Sequence, residues 1–165
     1  MTTTRKLTLS LLMALGAATL PAARAADAKA PAATATNGRS NAAENKALVL
    51  KAYQALFGDH DLDAVDRYWA KDYIQHNPYM ADGTQAVKQF VEKIGLLKGP
   101  KFKVEFLRVA AEGNLVFVQT RQPKTGDNPE MVIVDIFRVD NGKIAEHWDV
   151  MQAVPADATN KRPMY

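Results

Sequence analysis

Apolar side chains recur at helical spacing between Glu44 and Phe57, where Leu48, Val49, Ala52, Tyr53, Leu56 and Phe57 share one side, and Gly58 suits the helix end. A second, shorter helix is predicted over Leu62–Trp69, capped by Asp61 and burying Leu62, Val65 and Trp69. The run from Asp72 to Pro78 reads as extended or turn, because Pro78 drives its predecessor out of the helical region. Thr84 is placed to cap a third helix reaching about Leu97, with Val87, Phe90, Val91 and Ile94 in one stripe and Gly99-Pro100 as its stop. Beyond Pro100 the period falls to two. Phe102, Val104 and Phe106 alternate with Lys103, Glu105 and Leu107, and strands over Leu115–Gln122, Met131–Val139 and Lys143–Met151 follow. Three helices followed by four antiparallel strands make a segregated α+β domain, the helices covering one face of a curved sheet and leaving a cavity between.

Upstream of Glu44 the pattern changes. Arg5 and Lys6 precede an apolar run from Leu7 to Leu20, and Pro21 and Ala23-Arg24-Ala25 close it. This is the pattern of a signal peptide over residues 1–25, cleaved after Ala25. The run is shorter than the roughly 20 residues a membrane span needs, so no stable membrane insertion is expected after cleavage. Residues 26–43 lack any large apolar side chain and read as a flexible leader. The folded domain is then 44–154, and 155–165, with Pro155 and Pro163, reads as a tail. The formal charge of +3 comes entirely from the first 25 residues; beyond them 18 basic and 18 acidic groups balance. A nucleic-acid partner is therefore not expected. The absence of cysteine excludes disulfides, thiolate metal sites and cysteine nucleophiles. The expectation is a secreted, periplasmic protein.

Strand parity selects the candidate chemistry. His147, Asp149 and Met151 share one face of the last strand, and Ile133, Asp135 and Phe137 share one face of the strand before it. Whether these faces coincide depends on the Asp140-Asn141-Gly142 hairpin. A two-residue turn would pair Ile136 with His147 and send Asp135 to the other side. A three-residue loop would pair Asp135 with His147, and Asp140 and Asn141 suit the type I turn it needs. The second arrangement gathers two carboxylates and an imidazole among apolar neighbours, a group suited to moving a proton on carbon beside a carbonyl. His76, in His76-Asn77-Pro78, is the fourth candidate, as a donor to a substrate oxygen at the cavity mouth; the alternative is a turn with His76 on a backbone carbonyl. Tyr53, Phe57, Trp69, Tyr73, Asn77, Phe90, Ile133, Phe137 and Met151 are the candidate wall of a substrate pocket. No compact H-x-H or H-x-x-x-H spacing is present, so neither a metal nor any other cofactor is expected.

Two stretches, Tyr73-Ile74-Gln75-His76-Asn77-Pro78 with Asp82-Gly83, and Val134-Asp135-Ile136-Phe137-Arg138-Val139-Asp140-Asn141-Gly142-Lys143-Ile144-Ala145-Glu146-His147-Trp148-Asp149, resemble the SnoaL-like proteins of the nuclear-transport-factor-2-like superfamily. The resemblance spans roughly residues 44–152. It implies a cone-shaped α+β barrel with a deep pocket, often dimeric through its sheet, in a family that includes cofactor-independent polyketide cyclases. In those cyclases an Asp of the last strand is the acid/base and a His of the preceding strand its partner. Asp149 matches that Asp. Asp135 stands where the His would be, and His147 is supplied from beside Asp149 instead. The resemblance thus implies an acid/base enzyme of aldol-condensation, isomerase or lyase type on a hydrophobic carbonyl compound. Its relatives also include inert domains, so a small-molecule binding protein and a dimeric interaction module are the competing expectations.

Overall fold

The computed structural model describes residues 42–124 and 128–165. The signal segment 1–25 and nearly all of the leader 26–43 lie outside the described residues; only Ala42 and Ala43 fall within them, as the first residues of a helix. In chain order come α1 (Ala42–Tyr53), α2 (Asp63–Tyr68), β1 (Trp69–Gln75), α3 (Thr84–Lys93), β2 (Phe106–Glu112), β3 (Leu115–Gln122), β4 (Met131–Asp140) and β5 (Lys143–Ala153). The strands form one open sheet in the order β1-β5-β4-β3-β2, with β1 parallel to β5 and every other pair antiparallel. Among the described residues no helix is long and apolar enough to cross a membrane.

α1 turns Asn45, Val49, Ala52 and Tyr53 inward at helical spacing and packs on β2 and β3. α2 buries Ala64 and Val65, α3 buries Val87 and Val91, and both pack on β1. The inner layer of the sheet answers with Tyr73, Val116, Val118, Phe137, Val139 and Ile144. Each such side chain removed from water contributes about 1.5–3 kcal/mol, which fixes the helices to this face.

Several expectations are corrected. The sheet is a mixed five-stranded one, not four antiparallel strands, and it does not close into a barrel. The segment before Pro78 is strand β1, because its backbone finds a parallel partner in β5 that no local pattern announces. Trp69 opens that strand and does not end α2. Asp61 accepts from the Asp63 amide at 3.1 Å, as a cap does, whereas Thr84 is the first residue of α3 and Gly83 takes the cap position.

The first expected strand, over Phe102–Leu107, starts only at Phe106. The reason is Gln54. α1 continues into a wider π-helical turn over Gln54–Gly58, which aims the Gln54 amide at residues 102–104. Its Nε2 donates to the Phe102 carbonyl at 3.0 Å and its Oε1 accepts from the Val104 amide at 2.9 Å. One side chain thereby occupies the backbone groups that a neighbouring strand would take. Gly58 lets the segments approach: its carbonyl accepts from the Phe102 amide at 2.9 Å, and a Cβ there would stand 2.5 Å from the Phe102 oxygen.

The β4–β5 hairpin follows neither expected register. Asn141 (φ 48°) and Gly142 (φ 70°) form a two-residue turn with both backbones left-handed, and Asp140 pairs with Lys143. Val139 then pairs with Ile144, but Arg138 pairs with Glu146. Ala145 has no opposite residue and forms a β-bulge, so consecutive Ile144 and Ala145 are both buried. The bulge shifts the register by one, and Asp135 faces Asp149 while Phe137 faces His147. Asp135, His147 and Asp149 therefore share the inner face, through a turn and a bulge where a three-residue loop was expected.

Candidate active site

β4, β5 and β1 each deliver part of one polar cluster on the inner face of the sheet. His147 Nε2 lies 2.9 Å from Asp135 Oδ1, and Asp135 Oδ2 accepts from the Tyr53 hydroxyl at 3.3 Å. The same hydroxyl sits 3.5 Å from Thr120 Oγ1. The His147 ring stacks on Phe137 with centroids 4.7 Å apart. Asp135 and His147 are buried, and Asp149 is only half-buried. The cluster thus has a closed inner end and an open outer one.

β1 supplies the supports. Alternation puts Tyr73 and Gln75 of β1, and Asn77 two residues beyond Gln75, on the inner face beside β5. Gln75 Oε1 lies 2.9 Å from His147 Nδ1, and Asn77 Nδ2 donates to both Asp149 oxygens, at 2.9 and 2.7 Å. The Asn77 amide cannot be reversed, because its Oδ1 already accepts from the Tyr79 backbone N–H at 2.9 Å. Gln75 Nε2 donates to the Tyr73 hydroxyl at 3.0 Å. The backbone agrees: the His76 amide donates to the His147 carbonyl at 2.9 Å, locking β1 beside β5.

Burial pushes the Asp135 carboxyl above its ordinary value; the His147 bond opposes this, and the neighbouring Asp149 charge adds to it. Burial likewise raises the Tyr53 and Tyr73 phenols, with the Asp135 charge acting in the same direction. Both tyrosines keep their protons through the ordinary pH range.

His76 does not join this cluster. It lies between Gln75 and Asn77 and so points to the outer face, where its Nε2 is 2.8 Å from Glu146 Oε1 and its ring stacks on Trp148 at 4.7 Å. Burial pushes the Glu146 carboxyl up, yet hydrogen bonds from Arg138 and His76 outweigh it and hold the group below the usual range. Among the candidate pocket residues, Tyr53, Tyr73, Asn77 and Phe137 touch the cluster. Phe57 instead packs at a tilt against Tyr53, with ring centroids 4.6 Å apart, Phe90 packs against the core, and Ile133 faces Met151, which is 46% exposed, farther along the hairpin. Trp69 lines a separate cavity of about 420 Å³ with Ile74, Arg138 and Lys143, and another of about 520 Å³ opens at His60, Asp61 and Lys101. Gln75 was missed by the sequence reading. The parity of Tyr73, Gln75 and Asn77 would have found it had the segment been read as a strand.

One ligand atom each from Asp135, His147 and Asp149 lies within 4.8 Å of the others, which raises the question of a metal ion. Both His147 nitrogens and all four carboxylate oxygens are already bonded to one another or to Gln75, Tyr53 and Asn77. The Asn77 amide protons cover both Asp149 oxygens, so an ion bound there would have to displace them.

Residues 49–147 match the family described as SnoaL-like domain. The chain belongs to that family. Among solved structures it is similar to a candidate polyketide cyclase from Acidithiobacillus ferrooxidans, at 17% identity and a TM-score of 0.55 over 68% of this chain and 90% of that one. It is similar to a LEH-like epoxide hydrolase of M. tuberculosis, at 20% identity and a TM-score of 0.53 over 67% and 84%. An NTF2-like protein of unknown function from Mesorhizobium loti gives 18% identity and a TM-score of 0.55 over 72% and 97%. No curated protein matches the sequence. At these identities the likenesses establish the NTF2-like fold, and the chemistry has to be argued from the side chains of this SnoaL-like domain.

Proposed function

We propose that this SnoaL-like domain is an acid/base enzyme acting on a hydrophobic carbonyl-containing small molecule, in a reaction of aldol-condensation, isomerase or lyase type. The observation that carries the reading is the contrast between the two aspartates. Asp135 is sealed against His147 and Tyr53, whereas Asp149 is half-buried and held by the neutral Asn77 amide alone. Asp149 is the base, taking a proton from carbon beside the carbonyl and returning it elsewhere. Asp135 and His147 behind it set the field in which that charge sits. The ligand enters between helices and sheet at the open end of the cluster.

The same reading places the mature chain, beginning near Ala26, in the periplasm as a homodimer. The outer sheet face supports the dimer, since Ile74, Val134 and Val150 are 40%, 39% and 72% exposed there. A binding protein without turnover is the second reading, favoured by the fact that every ionisable group of the cluster already has a partner within the chain.

The test is Asp149→Asn, assayed on a carbonyl compound that copurifies with or thermally stabilises the protein. The expected result is turnover reduced by roughly 10²–10⁴-fold with ligand affinity little changed. Full turnover in the variant removes Asp149 as the base and with it the proposed mechanism. A ligand that binds both proteins equally and is never converted establishes the binder.

A further inference from the structure

The geometry points to Gln75 as a positioning residue that fixes the tautomer of His147 and so keeps one proton between His147 and Asp135, leaving Asp149, held by the neutral Asn77 amide, as the carboxylate outside that pair. The Gln75 side-chain oxygen is identified by its neighbour. The backbone N–H of Asn77 points at the Gln75 side chain from 2.9 Å, and a backbone N–H only donates, so the atom it meets is the amide oxygen. The other end of the amide agrees, since Nε2 faces two groups able to accept, the Tyr73 hydroxyl at 3.0 Å and Met80 Sδ at 3.7 Å.

That same oxygen lies 2.9 Å from His147 Nδ1. An amide oxygen carries no proton, so Nδ1 carries one. His147 Nε2 then faces Asp135 Oδ1 at 2.9 Å in one of two states. Either Nε2 is bare and accepts from a protonated Asp135, or the ring is an imidazolium donating to the carboxylate. Both hold one proton in that gap, and both leave the pair with no net charge.

Removing the proton meets an obstacle on each side. With Nδ1–H retained, the bare Nε2 would face an ionised oxygen, lone pair to lone pair. Moving the remaining ring proton to Nε2 would place a bare Nδ1 against Gln75 Oε1. The groups facing the pair from the other elements are Tyr53 on α1, Tyr73 on β1 and Asp149 on β5, and none is a cation that would draw the proton off. Burial of Asp135 acts in the same direction.

This inference rests on the proposed function only in naming Asp149 as the base, and its test needs no substrate. The chain contains three histidines, so side-chain ¹⁵N spectra across a pH series resolve His147, assigned by the signals lost in His147→Gln. In the unaltered protein His147 should keep Nδ1 protonated throughout its neutral range. Gln75→Leu should yield the neutral Nε2–H tautomer and lower the deprotonation midpoint by about one pH unit, the value of one hydrogen bond to a charged group. Gln75→Glu should move the midpoint the opposite way, with His60 unmoved in both; it also carries the test if the leucine variant does not fold. A neutral Nε2–H His147 in the unaltered protein, or a midpoint indifferent to both substitutions, overturns the inference. Either failure leaves the Asp149→Asn test standing, and the reverse holds equally.

Discussion

Asp135 and Asp149 are direct cross-strand partners on β4 and β5. Like charges in that relation are unfavourable, and a sheet ordinarily avoids them. Here His147, two residues before Asp149, reaches across to Asp135, while Asn77 takes Asp149. The pair is tolerated because each carboxylate has a different partner, and this difference gives them different roles.

Asp135 makes stability depend on pH. Its folded value lies above its unfolded one, so the native chain holds the proton to higher pH than the unfolded chain does. The stabilisation is therefore complete below the unfolded value, near ~3.9, and is lost as pH rises through the folded value. Asp135→Asn removes this dependence. In urea titrations from acid to neutral pH, the free-energy difference between wild type and variant should move in the variant's favour as pH rises, and a trend the other way would show that Asp135 folds ionised.

Asn77→Ala leaves Asp149 without its donor and the Tyr79 amide without its acceptor. Loss of this buried side chain should cost about 1.5–3 kcal/mol in a denaturation experiment. Turnover should fall by about tenfold, less than for Asp149→Asn, because the base remains and only its orientation is loosened. Equal losses in the two variants would make Asn77 more than a support.

Gly58→Ala tests the contact between the π-helical turn and the segment after Pro100. The added carbon would meet both the Gln54 amide and the Phe102 carbonyl, and neither can yield without breaking the bracket. Overpacking of this kind costs about 1–3 kcal/mol. Amide exchange at Val104, whose N–H is held by Gln54, should accelerate in step; unchanged exchange would mean that the bracket does not hold this segment.

His76→Ala separates the two faces of β1. The imidazole pairs with Glu146 and stacks on Trp148 on the outer side, so turnover should stay within about twofold of wild type. The effect on stability should be within about 1 kcal/mol, since the side chain is 43% exposed. A loss of turnover on the scale of Asp149→Asn would return His76 to the mechanism.

What the sequence made legible is what local periodicity encodes. α1, α3, β3 and the β4–β5 hairpin follow from apolar spacing and the turn residues Asp140-Asn141-Gly142, and parity puts His147 with Asp149; Asp135 joins them through a two-residue turn and a bulge, not through the three-residue loop that the sequence suggests. What stayed hidden depends on partners distant in sequence. β1 is a strand because β5 lies beside it, and Phe102–Val104 is not one because Gln54 reaches it from α1. His76 was misplaced for the same reason: without β1 as a strand, nothing told its side from that of Gln75 and Asn77.

Odd and even counting governs whether this hairpin carries a site at all. Asp135 and Asp149 are an even number of positions apart, and an unbroken hairpin closed by two residues puts such a pair on opposite faces. Were Ala145 to pair with Arg138 and the bulge to vanish, every ionisable side chain would remain, yet His147 and Asp149 would turn out to water, with Glu146 and Trp148 in their place. A relative with identical aspartates and no residue at Ala145 would reach the same pairing through a straight hairpin, so the bulge absorbs one residue that the site itself does not need.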